Sequence, residues 1–257
     1  MSFLNQLDDN INDVQESGDY IPGGVRESAI YTDTIKKAYL IESQHGSRGV
    51  TLELFDGQST FTTTQYITSN RQKGQLTYYT KPDGTKQFLA GYEIMENLCQ
   101  ILTGKGLSKQ DVVPGVVNVY NFEAKGEIPT NVEVLPLLIG KQIKTGILKT
   151  EVTKKKKDPS SDTYMPTSET RMQNELAKVF DATTSQTWTE KKGNAAASYI
   201  TKWEERYAGK VIDKKDKNAP KSGNPLATNQ SQTSNALAGS TAPANSGVSQ
   251  AQSLFDA

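Results

Sequence analysis

A chain of 257 residues with 35% hydrophobic content is long enough for one large domain or two small ones, and apolar enough to build a core. Its one cysteine, Cys99, excludes a disulfide framework and a cysteine-built zinc site, and fits a reducing compartment. The formal charge of zero hides an asymmetry: residues 1–24 carry five acids and no Lys or Arg, residues 25–157 carry eighteen basic against thirteen acidic side chains, and residues 158–217 carry ten of each.

In chain order, Leu4, Leu7, Ile11 and Val14 recur at steps of three and four among Asp and Asn, which predicts an acidic amphipathic helix within residues 1–24. Gly18 and Pro22-Gly23-Gly24 end it. It reads either as a helix packed on its own domain or as an arm that docks on a neighbouring copy. It lacks the cationic start and apolar run of a signal peptide, and nowhere are there about 18 consecutive apolar residues, so a cytoplasmic protein without membrane contact is expected.

Residues 36–43 and 50–56 read as strands around a turn that holds His45, with Val50, Leu52 and Leu54 alternating against Thr51, Glu53 and Phe55. Residues 60–68 and 75–80 continue the meander, and Pro82-Asp83-Gly84 supplies a further turn. The period then changes: Ile94, Leu98, Ile101 and Leu102 make a helical stripe over 92–103 with Gly104 as its stop. Extended segments resume over 116–122, 133–139 and 142–153. Strands, one helix, then more strands is the order of an oligonucleotide-binding barrel, so the expected class is mainly β (α+β), an OB-fold-like antiparallel barrel over 25–157 with an inserted helix. Other small barrels and α+β folds share that order.

After the barrel, Ser168 reads as the N-cap of a helix carrying Met172, Leu176, Val179 and Phe180, and a second helix presents Tyr199, Ile200, Trp203 and Tyr207. Residues 158–217 are therefore expected to be a helical extension packed on the barrel, with Trp203 in its core. Residues 218–257, mostly Ser, Asn, Gln, Thr, Ala, Gly and Pro, bury too little apolar area to offset ordering entropy, and are expected to be a disordered tail. Its large apolar residues after Leu237 cluster at the tip in Leu254 and Phe255, beside Asp256. As a coil of about 40 residues the tail reaches about 35 Å, enough for a tethered peptide to find a partner's pocket.

Tests for chemistry fail. A phosphate-binding loop around Gly104-Lys105 has Cys99 where Gly is required and Gly106 where a hydroxyl is required. His45, the one histidine, has no acid or nucleophile at a recognisable spacing, and the carboxylates are scattered. No catalytic residue, metal or cofactor is expected.

Residues 65–86 instead thread Tyr66, Tyr78 and Tyr79 among Arg71, Lys73, Lys81 and Lys86, with Arg48 just before. Rings that stack on any base and cations that track phosphates make a groove for single strands without sequence preference. An ordinary exposed hairpin has the same composition. The run Lys154, Lys155, Lys156 and Lys157, at the end of the last expected barrel strand, reads either as a solvated loop or as a further phosphate contact. Tyr39 and Tyr120 are weaker stacking candidates.

The segments KKAYLIESQHGSRGVTLEL at 36–54, TSNRQKGQLTYYTKPDGTKQFLAGYE at 68–93, VLPLLIGKQIKTGIL at 134–148 and ETRMQNELAKVF at 169–180 resemble bacteriophage single-stranded DNA-binding proteins, the replication proteins of tailed podophages of the Schitoviridae type. The resemblance implies coating of single-stranded DNA during replication, recombination and repair in the host cytoplasm. It also implies recruitment of replication or transcription proteins by the tail; self-association is expected separately, from the amphipathic N-terminal arm docking on a neighbouring copy. The tip departs from cellular relatives, which end in an acidic cluster, by having only Asp256 and the terminal carboxylate. A protein-interaction adaptor and a metal-dependent nuclease or annealing protein are the rival classes.

Overall fold

The alternation in Val50, Leu52 and Leu54 buries all three on one face, and the same rule organises most of the chain. A computed structural model describes residues 24–121, 124–158, 161 and 163–220; the acidic arm and the tail peptide Leu254, Phe255 and Asp256 lie outside the described residues. Strands β1 (Ala29–Glu42), β2 (Arg48–Phe55) and β3 (Thr60–Tyr66) form the first three strands of the expected meander, while the fourth, expected over 75–80, lies in a separate small sheet. A small hairpin, β4 (Tyr78–Thr80) and β5 (Lys86–Phe88), precedes helix α1 (Ala90–Thr103), which Gly104 ends in a left-handed conformation. A ribbon of β6 (Val113–Asn121) and β7 (Gly126–Val134) follows, then the long pair β8 (Gln142–Lys157) and β9 (Tyr164–Asp181). Helices α2 (Trp188–Lys192) and α3 (Tyr199–Tyr207) and the short β10 (Val211–Lys214) complete the fold.

The main sheet runs β9-β8-β1-β2-β3. Beyond Ile147, where β8 leaves β1, β10 takes the vacated edge in parallel alignment. Val134 of β7 pairs with Tyr39 of β1, which hangs the β6–β7 ribbon on the sheet. The expected closed barrel is corrected here: closure needs the two end strands to pair, and among the described residues no ladder joins β3 to β9. Helix α1 packs against both instead. Its buried stripe, Met95, Leu98, Cys99 and Ile101, fills the opening together with Ile35, Leu52, Leu54, Ile143, Leu176 and Val179.

The helix expected from Ser168 is also corrected. Met172, Leu176, Val179 and Phe180 lie on β9, paired with β8 from Tyr164 to Asp181. The cause is a bulge: Gly146 faces Lys178 while Ile147 faces Leu176, which leaves Ala177 as the extra residue. That insertion brings Leu176 and Val179, three apart, into one core, and so imitates a helical step. The supposed helical extension therefore begins as a strand, and Lys154, Lys155, Lys156 and Lys157 belong to β8 rather than to a loop after it.

The second helix is where it was expected. Trp203 of α3 is buried with Leu148 and Phe180 in a second cluster on the sheet. Gly146 makes room for it, since a Cβ there would come to 2.9 Å from the indole. Upstream, Glu190 joins α2 to α3. Its carboxylate accepts from the Thr187 amide at 2.9 Å, the Ser198 amide at 2.9 Å and the Tyr199 amide at 2.8 Å. Burial alone would raise its pKa, but these amides and the Thr187 hydroxyl overcome that and hold it at about 2.

Arg26 locks the sheet from the N-terminal side. Its guanidinium donates to buried Asp33 at 2.9 Å and to the Ser59 carbonyl at 2.9 Å, and pairs with Asp56 at 3.3 Å. Its backbone amide donates to Asn174 Oδ1 on β9, and Asn174 Nδ2 donates back to the Arg26 carbonyl, both at 2.7 Å. Thr145 of β8 donates to the second oxygen of Asp33 at 2.5 Å, so both oxygens of the buried carboxylate are satisfied.

Candidate nucleic-acid interface

The turn between β1 and β2 brings two arginines together. Arg48, at the start of β2, and Arg71, in the 3₁₀ turn Arg71–Lys73, both bind Glu42 at the end of β1; the Arg48 contact is 3.6 Å. The hydrogen bond from Arg71 comes first among the causes that hold the Glu42 carboxyl below its usual range. Arg71 is positioned from both ends: its amide donates to the His45 carbonyl at 3.0 Å, and its aliphatic stem lies across the bare backbone of Gly46, at φ +78. Any side chain at 46 would displace it. Both guanidiniums are more than half exposed, so each keeps donors facing solvent beyond the one carboxylate they share.

Tyr66, the last residue of β3, lies beside this pair. It stands opposite Gly49, where a Cβ would come within 3.3 Å of the ring, and the next residue, Ile67, donates its amide to the Arg48 carbonyl at 2.8 Å. Lys73 is exposed in the same turn, which Asn70 caps by accepting from the Lys73 amide at 2.9 Å. Arg48, Tyr66, Arg71 and Lys73 thus occupy one end of the sheet.

The β4–β5 hairpin carries the second part. Strand alternation places Tyr78, Thr80, Lys86 and Phe88 on one face and Tyr79 and Gln87 on the other. Tyr78 and Tyr79, both expected to stack, therefore point to opposite sides of the hairpin. Tyr79 instead donates its hydroxyl to Gln87 across the hairpin at 3.0 Å. On the Tyr78 face the Lys86 ammonium sits 4.7 Å from the ring centroid. Phe88, 52% exposed, extends the surface and meets Tyr92 of α1 with ring centroids 4.9 Å apart. Lys81 stands at the exposed turn, where Asp83 accepts from the Thr85 hydroxyl at 2.6 Å and is held below its usual pKa by that bond.

Phe88 was not singled out in the sequence. It lies ten residues from Tyr78 across a tight turn, and a two-residue period read through Pro82-Asp83-Gly84 would have put both on one face. Other basic-aromatic contacts lie elsewhere, among them Lys36 at 5.1 Å from the Phe55 ring centroid and Arg26 at 4.9 Å from that of Tyr31 within the lock. Tyr39 is 5% exposed and belongs to the packing, whereas Tyr120 is 53% exposed on the β6–β7 ribbon.

The lysine run is not part of this cluster. β1 runs from Ala29 to Glu42, β8 meets Ala29 at Ile147, and the lysines lie beyond that, so they stand toward the opposite end of the sheet from Arg48. The path along β1 and β8 is roughly 70 Å at about 3.3 Å per residue. Past Val152, among the described residues, only β9 pairs with β8, as a two-stranded ribbon with Lys157 opposite Tyr164 and Lys156 opposite Met165. Tyr164 is 59% exposed and Lys154 pairs with Glu169 at 2.9 Å.

Among the described residues no three His, Cys, Asp or Glu side chains are grouped to hold a metal, and no helix is long and apolar enough to cross a membrane. No family model, curated protein or solved structure matches the chain.

Proposed function

We propose that this protein binds single-stranded DNA without strong sequence preference and coats it during replication, recombination and repair, as the phage proteins it resembles do. The observation that carries the reading is the Tyr78 face of the hairpin: an ammonium 4.7 Å from an aromatic ring, with the exposed Phe88 ring on the same surface. Bases stack on the rings while cations neutralise phosphates, and neither interaction depends on base identity. The adjoining Arg48, Arg71, Lys73 and Tyr66 continue the contact. Lys81 and the lysine run Lys154, Lys155, Lys156 and Lys157 meet more of the backbone.

If the β4–β5 hairpin and the β6–β7 ribbon are taken as insertions, the order of a three-strand meander, a helix, and a strand, β8, laid against the first also supports an oligonucleotide-binding ancestry, with closure replaced by α1. No reaction is part of this proposal. The tail tip at Leu254, Phe255 and Asp256 recruits replication or transcription proteins.

Fluorescence titration with poly-dT at several salt concentrations tests the reading. Tight binding that weakens steeply with salt, with duplex DNA bound far less well, is the expected result. The absence of salt-sensitive affinity would leave an adaptor, and degradation or annealing of strands when magnesium is added would point to an enzyme.

A further inference from the structure

Among the described residues no strand pairs with the outer edge of the β6–β7 ribbon: β6 pairs there with β7 alone, and its nine residues, VPGVVNVYN, contain no charged side chain. Exposed edge strands are ordinarily protected by charges, and a flat uncharged one is a template for another strand. Pro114 and Gly115 interrupt only its beginning. The remainder exposes Val116 at 65% and Tyr120 at 53% on one face.

The sequence of this edge is complementary to itself. Antiparallel pairing about a two-fold axis at Asn118 sets Val116 opposite Tyr120 of the second copy and Val117 opposite Val119. These are β-branched and aromatic cross-strand pairs, the favourable kind, and no like charges meet. The Asn118 carbonyl accepts from Lys37 at a long 3.5 Å, and its second lone pair remains for a ladder bond. We propose that β6 pairs in this way with β6 of a second copy of this chain.

The size of the contact determines when it forms. Two strands joined by their edges bury far less than the roughly 1,200–2,000 Å² of a stable complex. The pair therefore dissociates in dilute solution and forms when two copies are held together, as on one DNA strand, where the effective concentration reaches about millimolar. Only this dependence on DNA rests on the function proposed above; the pairing itself does not.

Cross-linking tests it in the full chain, because Cys99 is fully buried and silent. An Asn118→Cys variant puts two thiols on the axis, at a Cα separation that a disulfide spans. Under mild oxidation it should form covalent dimers in concentrated protein, at about millimolar, and in dilute protein on long poly-dT but not on a strand that holds one copy. A Lys202→Cys control, exposed on α3, should not. Adding Val116→Lys and Tyr120→Lys together should reduce the dimer about tenfold, because the pairing then sets like charges directly opposite each other, while deletion of residues 1–19 should leave it intact.

An Asn118→Cys yield no higher than the control in concentrated protein and on poly-dT overturns the pairing, as does its loss when residues 1–19 are removed. Dimers in concentrated protein from a chain that fails to bind poly-dT would uphold the β6 contact and defeat the single-strand reading. Tight poly-dT binding without dimers would do the reverse.

Discussion

Tyr78 and Tyr79 are chemically identical neighbours, and the structure gives them different work. Tyr78 shares a face with Lys86 and Phe88, while Tyr79 is tied to Gln87 on the other side. Tyr78→Ala should weaken binding of short oligo-dT by about 1–3 kcal/mol, and Tyr79→Ala by clearly less; equal losses in a fluorescence titration would show that the hairpin faces do not matter. A second prediction concerns Arg26. Arg26→Met leaves Asp33 as a buried carboxylate without its cation, which should cost about 3–5 kcal/mol in urea denaturation. At this scale the sequence was readable where burial governs, as for Trp203, expected in the core and buried there. It was silent on Arg26, because a residue that reaches Asn174, 148 positions away, leaves no local pattern.

At the scale of elements, β2 and α1 were legible because their apolar residues keep one period throughout, whereas β1 was read only from residue 36, where the bulge between Ile35 and Lys37 resets its period. β9 was not legible, because the bulge at Ala177 inserts a residue and gives Leu176 and Val179 the spacing of a helix. The open sheet was equally hidden: whether β3 and β9 meet depends on the thickness of α1 between them, which no strand encodes. The α2–α3 corner makes a prediction about pH. Glu190 has a folded pKa of about 2, below its ordinary value, so its contribution is fully present above about 4.5 and is lost as pH falls through that interval toward 2. A Glu190→Gln variant should lose about 1.5–3 kcal/mol at neutral pH, the worth of hydrogen bonds to a charged group. The variant and the unmodified chain should converge in stability under acid, as thermal melts between pH 2 and 7 would record. A constant gap across that range would assign the loss to packing.

Across the whole molecule, the basic residues divide into a cluster around Arg48, Arg71 and the hairpin and a separate ribbon carrying Lys154, Lys155, Lys156 and Lys157. The sequence placed them one after another without indicating that the sheet sends them apart. Strands of about 8 nucleotides, within the range of a single small barrel, should therefore be indifferent to replacing the four lysines by Ser. Strands of about 30 nucleotides should bind more weakly, with a salt slope shallower by up to about 3. Equal effects on both lengths would mean that a single strand sees one continuous surface.

Arg26 also imposes an order on biosynthesis. Asn174, which its backbone grips, leaves the ribosome only after most of the sheet has been synthesised, and the Lys210 carbonyl that accepts from Ser28 at 2.5 Å leaves later still. The first strand is therefore held provisionally until the last ones arrive, and a gene fragment cut after residue 157 would yield a chain that waits for partners it never receives.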